Sequence, residues 1–256
     1  MRKTSNYITV ICVAAIMIAS ATVGYLIAPG EGEDQVDHNE YFQVSTYNRL
    51  AAGYYGGGIT VEELLQHGDF GIGTIEGIDG EMIIVDGVAY RAGTDLKPEK
   101  VEAGAMVPFA MVCHYSYYFN DGSQEWDNYT EIKENLSSLA DHPSTSIVCA
   151  VMIDMEFDSL TIRSVPGQEV PYPPLTEVIA QQTTLTLHNV SGKMVGFVVS
   201  ENLNGVNVPG FHLHFISDDL SYGGHVLDFS AEDILLKCQP MTEITMCIVD
   251  HALMEN

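Results

Sequence analysis

After residue 40, apolar and polar positions alternate mostly with a period of two, which predicts a strand-rich molecule. Gly71 to Tyr90 alternates β-branched residues with glycine, and Asp79-Gly80 and Asp86-Gly87 are turn dipeptides, so this stretch reads as a β-meander. Pro108 to Phe119 predicts a further strand, and Ser146 to Val165 predicts two strands around the acidic stretch Asp154–Asp158. Thr183–His188 and Lys193–Ser200 predict a hairpin around Asn189–Gly192. Strands near 211–216 and 225–229 and a last β segment at 241–249 complete the set. Helical spacing is rarer. Thr60-Val-Glu-Glu63 is a capping box that opens a helix ending near Gly68. Tyr129, Ile132, Leu136 and Leu139 predict a helix over Asp127–Ala140, and a short helix follows Pro171-Tyr-Pro-Pro174 to about Gln182. Without a βαβ rhythm the class is α+β: mixed or antiparallel sheets in two subdomains with two or three helices. The predicted division places an N-terminal β-rich subdomain with helices at 41–165 and a C-terminal β-rich subdomain at 166–256.

Residues 1–28 follow a different pattern. Arg2 and Lys3 precede an apolar run from Tyr7 to Ala28, long enough to cross a hydrocarbon core as a helix. Ala19-Ser20-Ala21 offers a small-x-small cleavage site. A cleaved signal peptide and a retained membrane anchor both fit, and both put the rest of the chain outside the cytoplasm, secreted or anchored through residues 7–28. A buried core helix fits the flanking charges less well. Residues 29–40 read as an acidic linker.

Composition narrows the partners. The 256 residues are 46 % apolar, enough for a sizeable core, and 10 Lys+Arg against 35 Asp+Glu give a net charge of -25. A surface that acidic repels phosphate backbones and anionic lipid, which excludes nucleic acid and leaves the membrane only to the N-terminal segment. Cys113, Cys149, Cys238 and Cys247 contain no CxxC, so outside the cell they allow up to two disulfides with three pairings open. Cys12 lies in the export segment.

The strongest chemical signal is Phe211-His-Leu-His-Phe-Ile216. On a strand, His212 and His214 share one face while Phe211, Leu213 and Phe215 share the other. Ser217 to Gly224 has turn composition, so a hairpin brings His225 beside the pair. Three neutral imidazoles with one open position suit Zn²⁺ or another divalent transition metal. Isolated, hydrogen-bonded histidines are the plainer reading, and they remain the reading for His38, His67, His114, His142, His188 and His251. Arg163 sits in Leu160-Thr-Ile-Arg-Ser-Val165, one of three arginines after the export segment, and its fixed fork suits a carboxylate. Read alone, it is equally a surface or ion-paired arginine. Glu81 follows the Asp79-Gly80 turn, and by itself reads as an exposed carboxylate; Thr74 in Gly71-Ile-Gly-Thr is unremarkable by itself.

Five blocks carry a resemblance: Gly68-Asp-Phe-Gly-Ile-Gly-Thr-Ile75, Ile78-Asp-Gly-Glu-Met82, Ile162-Arg-Ser-Val-Pro166, Pro171-Tyr-Pro-Pro-Leu-Thr-Glu-Val178, and Val208-Pro-Gly-Phe-His-Leu-His-Phe-Ile216 with Gly223-Gly-His-Val-Leu227. In that order, from about Phe42 to Met241, they resemble the acetolactate decarboxylase family. The resemblance implies a carboxy-lyase that converts 2-acetolactate to acetoin and CO₂, with a metal, usually zinc, stabilising an enediolate. It implies metal ligands at His212, His214 and His225 and catalytic roles for Arg163, Glu81 and Thr74. The family's glutamate from a C-terminal tail has Glu255 as its only late candidate here. The substrate class is then a small 2-hydroxy-3-keto acid, and a homodimer is compatible with the sequence. The alternatives are an exported metal-binding hydrolase or cupin-like oxygenase, which also use histidines at i, i+2, and a non-catalytic metal-binding surface module.

Overall fold

A computed structural model describes residues 38–116 and 148–249, all within one unit spanning Asp37–Asn256. The apolar run 7–28, the helix expected over Asp127–Ala140, and Glu255 lie outside the described residues.

In chain order the first sheet strands are β1 (Glu40–Val44), β3 (Phe70–Thr74), β4 (Glu81–Val85), β5 (Val88–Ala92), β6 (Pro98–Lys100) and β8 (Phe109–Cys113). With β14 (Glu243–Cys247) they form a seven-stranded sheet ordered β14-β1-β8-β3-β4-β5-β6, parallel only where β1 meets β14. The meander expected over Gly71–Tyr90 is β3-β4-β5. A two-stranded ribbon joins β2 (Ile59–Thr60) to β7 (Met106–Val107). Three short helices lie among the described residues: α1 (Tyr47–Ala51), α2 (Val61–Leu64) and α3 (Leu175–Ile179). The capping box read from the sequence opens α2: Thr60 accepts from the Glu63 amide while Glu63 accepts from that of Thr60.

The second sheet has five strands: β9 (Val148–Ser164), β10 (Thr183–Val199), β11 (Gly210–Ser217), β12 (Gly223–Ser230) and β13 (Leu236–Met241). The order is β10-β11-β12-β9-β13, and β9 also pairs with β10. Four of these strands therefore close into a ring. Phe157, Phe215 and Phe229 fill it, with edge-to-face contacts at 5.8 and 5.7 Å, each worth about 0.5–1.5 kcal/mol beyond the area it buries. A second core layer, including Ile72, Ile83, Met111, Met152, Phe197 and Ile216, fills the space between the ring and the seven-stranded sheet.

Three expectations change. Ser146–Val165 is one 17-residue strand, because Asp154, Glu156 and Asp158 all point outward while Ile153 and Phe157 stay buried. Period two simply continues through the acidic stretch. Thr183–Ser200 is not a hairpin either: β10 runs through Asn189–Gly192 and pairs with β9 from end to end. Asn189 takes φ 50 without ending the strand, a conformation asparagine tolerates. The last β segment splits at Thr242, giving β13 to one sheet and β14 to the other. The two sheets thus exchange strands across the boundary expected at 165/166, since β9 joins the later strands and β14 joins the earlier ones.

Candidate metal centre and catalytic cavity

The ring presents its outer face to the cavity. Along β11, Phe211, Leu213 and Phe215 enter the ring core, so His212 and His214 project the other way. Antiparallel pairing sets His225 of β12 directly opposite His214, and Arg163 of β9 directly opposite His225. Val226 and Ile162, each next in sequence, are buried in the ring. Gly224 makes the close approach possible: a Cβ there would lie 2.6 Å from the Arg163 carbonyl oxygen.

The three rings form a triangle with centroids 5.1–5.4 Å apart. One potential ligand atom from each lies within 4.8 Å of the others. His212 Nδ1 and His225 Nδ1 are buried and make no hydrogen bond, and His214 Nε2, also buried, has only the Glu81 carboxyl beside it. His214 Nδ1 donates to the Met82 carbonyl at 2.8 Å, which leaves a lone pair on Nε2. Burial holds the trio neutral. It lowers His214 to about 3, with Arg163 adding to the effect and the Met82 hydrogen bond opposing it. Burial also carries His212 and His225 well below the usual value, helped by neighbouring His and Arg163 charges. Three buried, neutral imidazoles grouped this closely are a donor set that a divalent transition metal fits.

The seven-stranded sheet faces the trio with oxygen. Glu81, which begins β4, is only 7 % exposed. Its Oε1 lies 3.1 Å from Arg163 Nη1 and its Oε2 lies 3.3 Å from His214 Nε2. Burial raises the Glu81 pKa and the Arg163 charge opposes the rise. The turn before it is held on two sides. Thr74 Oγ1 donates to the Gly80 carbonyl at 2.8 Å. Arg91 donates to the Asp79 carbonyl and carboxylate, each at 3.0 Å. Gly80, at φ 82, could not carry a Cβ, which would sit 2.5 Å from the Ala92 carbonyl oxygen.

His212, His214, His225, Arg163, Glu81 and Thr74 all line one cavity of about 200 Å³. The sequence reading missed its apolar wall: Leu50 of α1, Ile78, Phe109, Val165, Leu175 and Ile179 of α3, and Val208. Ile78, Val165, Leu175 and Val208 fall within the blocks that carry the resemblance, but nothing in their spacing marks them as a pocket wall. None of the other described histidines joins the cavity. His67 stacks on Phe42 at 3.8 Å, and His38 and His188 each approach a backbone carbonyl. Cys113, Cys149, Cys238 and Cys247 form no disulfide among the described residues, and the Cys149 and Cys238 thiols share a hydrogen bond. The cavity therefore combines three histidines that could hold a cation, one guanidinium, one buried carboxyl and an apolar pocket, enough to grip a small anion that carries an alkyl group.

Comparison with known proteins agrees with this chemistry. The family model described as alpha-acetolactate decarboxylase matches residues 41–252. The chain is 41 % identical over 191 residues to the alpha-acetolactate decarboxylase of Methanosarcina mazei, covering 75 % of this chain and 66 % of that protein. It is 36 % identical over 208 residues to the Streptococcus thermophilus enzyme of the same name, covering 79 % and 85 %. The crystal structure of alpha-acetolactate decarboxylase from Bacillus subtilis strain 168 superposes with a TM-score of 0.75 at 32 % identity, covering 82 % of this chain and 89 % of that one.

Proposed function

Because this chain belongs to the alpha-acetolactate decarboxylase family, whose members are carboxy-lyases, we propose that its cavity converts 2-acetolactate to acetoin and CO₂. The observation that carries the reading is the convergence of Arg163, Glu81 and three clustered, buried imidazoles on one small pocket.

The reaction breaks the bond between the carboxylate and the carbon bearing the hydroxyl. Its electron pair runs toward the adjacent keto group, CO₂ departs, and one proton is taken up at carbon. His212, His214 and His225 would hold a divalent ion, most simply zinc, and the bound ion supplies a Lewis acid for the charge that CO₂ loss leaves. Arg163 meets the substrate carboxylate with its planar fork and sets the breaking bond against the keto π system. Glu81, buried beside Arg163 and His214, holds the proton that passes to carbon. Thr74 fixes the turn that carries Glu81 and borders the same pocket. The apolar wall takes the substrate's methyl groups and keeps water from the reacting face. Arg2, Lys3 and the apolar run 7–28 support an extracytoplasmic location for this activity.

The test is acetoin formation by purified protein before and after chelation, with metal analysis of the same samples. Activity should vanish with the metal and return with added Zn²⁺. Turnover that survives complete metal removal overturns the Lewis-acid role, and metal-loaded protein that makes no acetoin overturns the decarboxylase reading.

A further inference from the structure

Two buried amides outside the cavity hold its walls together. Gln43 on β1 and Asn207, in the loop before β11, are fully buried. Asn207 Nδ2 donates to Gln43 Oε1 at 2.9 Å. Gln43 Nε2 donates to the carbonyls of Ser45 at 2.9 Å and Val206 at 2.8 Å. Asn207 Oδ1 accepts from the Val208 amide at 2.8 Å. Each of the four amide heteroatoms therefore has a complementary partner, so neither amide can flip without setting like against like. Two backbone bonds close the same seam, Tyr47 N to Val206 O at 2.9 Å and Asn48 N to Gly205 O at 3.0 Å.

What lies beyond this seam gives the pair its consequence. On one side it leads into α1, which sets Tyr47 and Leu50 in the cavity wall. On the other it leads into Val208 and His212, which line the same cavity. We propose that the Gln43–Asn207 pair is a buried clasp that fixes the distance between these two walls, making both positioning residues for the fit of the substrate's alkyl groups. The inference rests on the decarboxylase reading above. A fully satisfied buried network holds a single geometry, and a half-satisfied one does not.

The test is steady-state kinetics on metal-loaded full-length protein and its N207D variant. The substrates are 2-acetolactate and a homologue with one extra methylene on its alkyl group. N207D keeps the shape of the side chain but turns the donor facing Gln43 Oε1 into an acceptor. We expect KM for 2-acetolactate to rise about tenfold, with kcat within threefold of wild type and metal content per chain unchanged. Preference against the larger homologue should fall severalfold, since one methylene is worth about 10- to 200-fold in a close-fitting pocket. If N207D does not fold, N207S gives the same readout, because it is uncharged and too short to reach Gln43. Wild-type KM and wild-type preference in the folded variant overturn the clasp. So does a parallel fall in kcat and metal content at unchanged KM, which is what mere destabilisation produces. A wild-type protein that makes no acetoin overturns the decarboxylase reading and this inference with it, whereas a competent wild type beside an unaltered N207D overturns the clasp alone.

Discussion

The two sheets meet at one cavity and bring different chemistry to it. From the five-stranded sheet come the nitrogen groups, His212, His214, His225 and Arg163, all on paired strands, with His214, His225 and Arg163 side by side across three of them. From the seven-stranded sheet come oxygen groups, Glu81 at the start of a strand and Thr74 at the end of another, joined across a turn. Pairing of neighbouring strands fixes the nitrogen face. The oxygen face depends on side-chain hydrogen bonds to a turn. The first arrangement suits an ion that tolerates little displacement, and the second suits a group that must reach a reacting carbon.

This division predicts that changes in one sheet remove the metal while changes in the other spare it. The largest effect belongs to His214→Ala: metal content should collapse and kcat/KM fall by about 10³-fold or more, because the charge stabilisation lost is several kcal/mol. Metal analysis beside an acetoin assay checks both. Glu81→Gln should keep the metal and lose about 10²-fold in kcat, the usual scale for a positioned proton donor. If Glu81→Gln loses the ion as completely as His214→Ala, the oxygen face is part of the ligand shell and the division fails. Arg163→Lys tests the boundary, since Arg163 shares the histidine sheet yet contacts Glu81. It should keep the metal and raise KM by about tenfold or more as the two-pronged grip on a carboxylate is lost. Thr74→Val should be mildest, a few-fold in kcat, because Arg91 still holds the turn from its other side; a drop as large as that of Glu81→Gln would give Thr74 direct contact with substrate.

The contrast between the sheets also explains what could be read in advance. Period-two alternation puts His212 and His214 on one face whatever surrounds them, and the Ser217–Gly224 turn brings in His225, so the trio was legible from spacing alone. Glu81 was not. A carboxylate after an Asp-Gly turn reads as solvated, and what buries it is a second sheet folded from residues far along the chain. Arg163 stayed ambiguous for the same reason, and only the family resemblance singled the two out. The long strand β9 reads as broken because Asp154, Glu156 and Asp158 look like turn residues until the neighbouring strands show them simply facing outward, and β10 reads as broken because Asn189–Gly192 has turn composition. Gln43 and Asn207 gave no signal at all: buried amides are recognisable only by their partners, and these two are 164 residues apart.

The closed circuit of β9, β10, β11 and β12 has one more consequence. An open sheet frays from its outermost strand, but a hoop has no outermost strand from which to begin. The backbone amides of His214 and Ile216, bonded within that hoop, should therefore be among the last in the molecule to exchange with deuterium, outlasting those of the two-residue strands β2 and β7. An ion held by those histidines would then leave through the cavity while the chain stays folded, so its residence time and the protein's unfolding rate would be two separate clocks.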